Sequence, residues 1–149
     1  SVVNLYEVIR EQKILFDTQD NIRISFGYDS EGCNVYARRG QIVRVLVNLI
    51  SNAIQALEKV SATGKGFIRI SLQDKGDDYV VAVEDNGDGV KEEDMPKLFT
   101  PNFTTKSSGN GLGLAISKSI IEQSGGKIWY SKSELGGANF AFSLPKYKG

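Results

Sequence analysis

Gln41 to Lys59 reads QIVRVLVNLISNAIQALEK. Ile42, Leu46, Leu49, Ala53, Ala56 and then Val60 recur at three- and four-residue steps, which places them on one face of an α-helix. Asn48, Asn52, Gln55 and Lys59 form a second stripe opposite the apolar one. A helix so divided must bury one face against another layer, and the rest of the chain supplies that layer.

Downstream, Thr63 to Gly66 breaks the helix, and Ile68, Ile70 and Leu72 then alternate as a strand. Tyr79 to Glu84 is almost continuously apolar, the pattern of a central strand. From Asp85 to Gly111 regularity fails apart from one helical turn expected at Met95 to Phe99. A structureless stretch of that length inside a small domain is uncommon and usually functional or disordered. Leu112 to Gln123 reads as a helix stopped by Gly125-Gly126. Lys127 to Ser131 and Asn139 to Leu144 follow as strands around Gly136-Gly137. Upstream, Val3, Tyr6, Ile9, Lys13 and Phe16 predict a first helix, its stripe weakened by the lysine. Ile22, Ile24, Phe26 and Tyr28, then Cys33, Val35 and Ala37, suggest a hairpin turning at Asp29 to Gly32. The expected fold is α+β: a two-layer sandwich with a mixed, mostly antiparallel sheet, helices on one face and a long lid at about residues 90–110.

The 149 residues fit one domain, 1–149. Eighteen basic and eighteen acidic residues cancel, so nothing favours bulk attraction to nucleic acid or an acidic membrane. The single cysteine, Cys33, cannot form an internal disulfide, which fits a cytoplasmic location. No apolar run approaches the roughly 18 residues of a membrane span, and the N-terminus lacks a signal-peptide pattern. The chain contains no histidine.

Three motifs carry candidate chemistry. Asn48 and Asn52 stand four apart on one helix face, where their amide oxygens could serve Mg²⁺; the same stripe could be a solvated face. Asp85-Asn86-Gly87-Asp88-Gly89 follows the central strand. A carboxylate there could accept a hydrogen bond from an exocyclic amino group while glycines admit a flat ring; taken alone, the motif reads first as an Asx turn closing the strand. Gly109-Asn110-Gly111-Leu112-Gly113-Leu114 opens a helix, whose first N–H groups favour phosphate. It is neither a Walker loop nor a dinucleotide fingerprint. Between the last two motifs, Phe99 and Phe103 could plug the core or dock a partner, and Lys106 could reach terminal phosphates or simply be exposed.

In this order and spacing, the motifs resemble the N, G1, F and G2 boxes of the catalytic domain of sensor histidine kinases. The matching residues run from Gln41 to Gly126, and the flanking pattern extends from Val3 to Pro145. The Asn-Ala-Ile-Gln-Ala-Leu run and Phe-Thr-Thr-Lys look most like the nitrogen-regulation and oxygen-sensing branch. The resemblance implies a Bergerat (GHKL) ATP fold with ATP and Mg²⁺ as cofactors. Asn52 would then ligate Mg²⁺, with Asn48 assisting at the metal and phosphates and Gln55 beside them. Asp85 would read the adenine amino group, and Gly87 and Gly89 would line the base pocket. Lys106, Gly109, Gly111, Leu112 and Gly113 would hold the phosphates, with Asn48, Asn52 and Lys106 as the catalytic set. Asn110, Asn102 and Arg39 depart from the common pattern without removing a proposed contact.

Gyrase-, chaperone- and mismatch-repair-type ATPases resemble this chain too, but carry Glu where Asn48 stands. An amide cannot act as the general base that activates water. The resemblance therefore implies γ-phosphoryl transfer to a histidine, and with none in the chain the acceptor must come from a separate dimerisation domain. The implied partners are that domain, a response regulator receiver domain and ATP/ADP, in a homodimeric full-length kinase; neither nucleic acid nor membrane is expected to touch this domain. A GHKL-type ATPase and a non-catalytic nucleotide-binding regulatory module are the alternatives.

Overall fold

A computed structural model describes residues 1–18, 20–58, 60, 64–101 and 113–149. β1 (Val2–Asn4) leads into α1 (Leu5–Phe16), β2 (Ile22–Tyr28), β3 (Asn34–Tyr36) and α2 (Arg39–Ala56). β4 (Gly66–Asp74) and β5 (Asp78–Asp85) follow, then a 3₁₀ turn (Glu92–Lys97), α3 (Gly113–Gln123), β6 (Lys127–Lys132) and β7 (Ala138–Pro145). Five strands form one mixed sheet in the order β2-β4-β5-β7-β6, with only β2–β4 parallel; β1 and β3 make a separate antiparallel pair.

Alternation along each strand decides which face is covered. Ile68, Ile70 and Leu72 of β4, Val81 and Val83 of β5, and Phe140, Phe142 and Leu144 of β7 point into one buried layer. They meet Val8 and Ile9 of α1, Ile42, Leu46, Leu49 and Ala53 of α2, and Ile120 and Ile121 of α3 in the same core. The opposite sheet face exposes Phe67 and Trp129 and carries a charged pair, Arg69 donating to both carboxylate oxygens of Glu84 at 3.0 and 3.1 Å. The two-layer sandwich expected from the sequence is the fold observed, with β5 central.

Two expectations fail. The hairpin between Ile22–Tyr28 and the Cys33–Ala37 segment does not form: β2 pairs in parallel with β4, from Ile22 opposite Gly66 to Tyr28 opposite Leu72, while β3 pairs with β1. Parallel pairing requires a crossover, and α2 provides it. The first helix begins at Leu5, not Val3. Asn4 caps it, its side chain accepting from Glu7 N–H at 3.2 Å, and the buried face is Leu5, Val8, Ile9 and Gln12 rather than the stripe through Lys13. Lys13 instead pairs with Asp17 at 3.0 Å, and Arg39 pairs with Glu11. Among the described residues no helix is long and apolar enough to cross a membrane.

Candidate functional site

The C-terminal end of β5 delivers Asp85 to the covered face, where it is 1% exposed. Its Oδ1 accepts from Gly87 N–H at 2.9 Å and from Ala138 N–H at 3.3 Å, and its carbonyl accepts from Gly137 N–H at 3.2 Å. The Asx turn anticipated from the sequence is therefore present, and it coexists with a link to the first residues of β7.

Two glycines permit this approach. A Cβ on Gly87 would lie 2.6 Å from the carbonyl oxygen of Ala56 and 3.1 Å from Asp85 Oδ1. A Cβ on Gly137 would overlap Asp85 Oδ1 and stand 2.6 Å from Gly87 N. Gly89 lies over the same corner, its Cα-side space bounded by Gly137 and the Tyr130 hydroxyl. That hydroxyl accepts from Val90 N–H at 3.4 Å, and the Tyr130 ring packs on Phe140 at 5.3 Å. Phe99 meets the same Phe140 ring edge-on at 6.2 Å, so of the two roles open to it, the described contact is core packing.

Helix α2 connects this corner to the start of α3. Asn48, Asn52 and Ala56 lie four apart on one face, a span of about 12 Å at the helical rise; Ala56, assigned to the apolar stripe from the sequence, is thus half-buried on the polar side, and Leu57 is buried in its place. At one end the Asn48 amide donates to Gly113 O and to Ser117 Oγ, both at 3.2 Å. At the other end the Ala56 carbonyl abuts Gly87. Asn52 sits between them, half-buried, and Gln55 follows three residues on, also half-buried. Thus Asn48, Asp85, Gly87, Gly89 and Gly113 belong to one wall whose spine is α2. Lys106, Gly109, Gly111, Leu112 and Phe103 lie outside the described residues.

Reading the sequence missed Tyr130, Gly137 and Ser117. Gly137 looked like a hairpin turn and Tyr130 like a strand residue, and only strand pairing brings them to Asp85. The spacing of Ser117 four after Gly113 was the one available signal.

The two amides on α2 are hard donors of the kind that could hold a divalent cation. Asn48 and Asn52 offer neutral amide oxygens, and no cluster of three His, Cys, Asp or Glu that could hold a metal occurs among the described residues. Mg²⁺ commonly binds through few protein ligands while sharing phosphate oxygens. A concavity on the outer sheet face, lined by Arg69, Glu84, Trp129 and Ala141, is separated from Asp85 by the sheet itself and shares none of these groups. Burial raises the Cys33 thiol and the Tyr79 phenol, and the Lys146 ammonium holds Asp74 below the usual carboxylate range.

Residues 37–148 match the family described as histidine kinase-, DNA gyrase B- and HSP90-like ATPase. The sensor protein FixL of Bradyrhizobium diazoefficiens is 39% identical over 128 residues, covering 85% of this chain and 25% of that protein. The nucleotide-free catalytic domain of the histidine kinase ThkA superposes with a TM-score of 0.86 at 42% identity, covering 98% of this chain and 95% of that one. ThkA in complex with the response regulator TrrA matches with a TM-score of 0.81 at 39% identity, covering 99% of this chain and 42% of that one. The chain spans about a quarter of the length of the curated relatives it matches.

Proposed function

Because this chain belongs to the histidine kinase-, DNA gyrase B- and HSP90-like ATPase family, and within it to the catalytic domains of histidine kinases, we propose that it binds MgATP along α2 and transfers the γ-phosphoryl group to a histidine on a separate dimerisation domain. The observation that carries the reading is the single wall formed by Asp85 at one end, Gly113 at the other and the Asn48–Asn52 face between them.

Asp85, held by two backbone N–H groups, accepts the exocyclic amino group of adenine. Gly87 and Gly89 keep side chains out of the base plane. Asn52 would hold Mg²⁺ through its neutral oxygen, with Asn48 and Gln55 toward the phosphates beside it. Gly113 opens α3, so its end of the helix orients positive dipole toward phosphate. By resemblance, Lys106, Gly109, Gly111 and Leu112 complete the phosphate cradle. A bound Mg²⁺ would supply charge neutralisation at the phosphates, which together with positioning is most of what phosphoryl transfer requires.

The acceptor imidazole is nucleophilic when neutral, so this domain need not supply a base. The Asn48 amide supports the kinase reading over the hydrolase one, because it is engaged as a donor to Gly113 and Ser117 and cannot take a proton from water. The dimerisation domain, a receiver domain and a homodimeric, cytoplasm-facing kinase complete the proposal. The response regulator bound in the ThkA complex supports the receiver.

The test mixes the chain with γ-labelled ATP and a separately produced dimerisation domain. Acid-labile, base-stable label on the acceptor histidine is the expected result. Phosphate release without acceptor would identify an ATPase, and MgATP binding with neither product a regulatory module.

A further inference from the structure

Ser117 is fully buried on α3. Its hydroxyl donates to Gly113 O, four residues earlier, at 2.9 Å. This back-bond does little for the helix and usually weakens it slightly. Alanine would be the better helix former at a buried position, with no hydroxyl to satisfy. The hydroxyl matters because of a third group: Asn48 on α2 donates its Nδ2 to both Gly113 O and Ser117 Oγ.

That triangle settles which way the amide faces. A carbonyl oxygen only accepts, and the single hydroxyl proton is already given to Gly113. Both partners therefore require the NH₂ side of Asn48. Its oxygen, on the other branch of the planar amide, is turned away from them. Without Ser117 one of the two restraints is lost, and the first turn of α3 is held to the α2 face by the Asn48–Gly113 bond alone.

We propose that Ser117 is a positioning residue for the phosphate and metal end of the site, acting through the Asn48 amide and the Gly113 carbonyl. The inference rests on the MgATP reading above and assigns Ser117 no contact with nucleotide. It joins the helix that follows the glycine-rich segment to the helix bearing the amide oxygens, so the two halves of the phosphate end keep a fixed spacing.

The test is calorimetric titration of the intact chain, wild type and the Ser117→Ala and Ser117→Cys variants, with adenosine, with ATP in chelator, and with ATP over a Mg²⁺ series. Cysteine keeps the side chain, slightly enlarged, but bonds weakly, so it separates a lost hydrogen bond from the void that alanine leaves. Both variants are expected to weaken MgATP binding about tenfold, the worth of one oriented hydrogen bond. Both should raise the Mg²⁺ concentration for half-maximal binding and leave adenosine affinity unchanged. Wild-type behaviour in Ser117→Cys would make the role one of packing and overturn the proposal. So would a parallel loss of adenosine binding, or unaltered MgATP binding in Ser117→Ala. A wild-type chain that binds no MgATP would instead sink the nucleotide reading itself, a distinct outcome.

Discussion

Substituting Gly87→Ala tests the corner on which the base end of the site depends. The new Cβ would stand 2.6 Å from the Ala56 carbonyl oxygen, whereas ordinary contact begins at 3.4 Å, so backbone must move by about 0.8 Å (3.4 less 2.6). Neither neighbour yields easily: one is the last turn of α2, the other the Asp85 carboxylate, 3.1 Å away and held by Gly87 N–H and Ala138 N–H. Overpacking of this kind costs about 1–3 kcal/mol. In a chain of this size that lowers the melting temperature by roughly 2–4 °C per kcal/mol. Because the displaced atoms include the proposed adenine acceptor, adenosine affinity should fall more steeply than stability, by about tenfold or more. Scanning fluorimetry and adenosine titration measure the two effects. Gly27→Ala, with nothing within 4 Å of its Cβ, serves as the control. A variant that melts and binds adenosine like wild type would show that Gly87 does not press on α2, and the wall described here would be wrong.

Asp85→Asn keeps an oxygen for the two backbone donors but presents NH₂ where an amino donor must approach; adenosine affinity should drop about 10- to 100-fold, read by titration, with little change in melting. Asn52→Ala should reduce MgATP affinity to that of ATP in chelator and abolish phosphoryl transfer while adenosine binds normally; retained Mg²⁺ dependence would refute the metal assignment. Tyr130→Phe removes the acceptor for Val90 N–H, so stability should fall by about 1 kcal/mol and Val90 amide exchange should accelerate, as hydrogen exchange would reveal. Asp74 is lowered chiefly by its bond with Lys146 at 2.6 Å. Its stabilisation is therefore present above the unfolded carboxylate value of about 4 and lost as pH falls through the folded one. Asp74→Asn should melt lower than wild type at pH 7 and converge with it on acidification, and a constant gap would refute the linkage.

Legibility in the sequence followed the range of the interaction. The α2 stripe is set by neighbours three and four residues away, and Ile42, Leu46, Leu49 and Ala53 are buried as that spacing requires. The β2–β3 hairpin failed because the partner of β2 lies beyond a whole helix, where Ile22 meets Gly66. Local alternation carries no information about such a partner. Val3 misled the first helix because its burial comes from the β1–β3 pair. At the site, Asn48, Asn52 and Asp85 stood out as polar groups in ordered segments. Gly137, Tyr130 and Ser117 did not, since each acquires its contact only when separate elements pack.

Adjacent residues of β5 grip the end of the β6–β7 hairpin from opposite sides of the sheet. Glu84 accepts from Ser133 Oγ at 2.6 Å on the open face, and Asp85 accepts from Ala138 N–H on the covered one. Surface turns ordinarily tolerate extra residues. This one is riveted through the sheet at Ser133 and at Ala138, so extra residues fit only between those two fastenings, while a deletion that shortens the span pulls on Glu84 and Asp85 together.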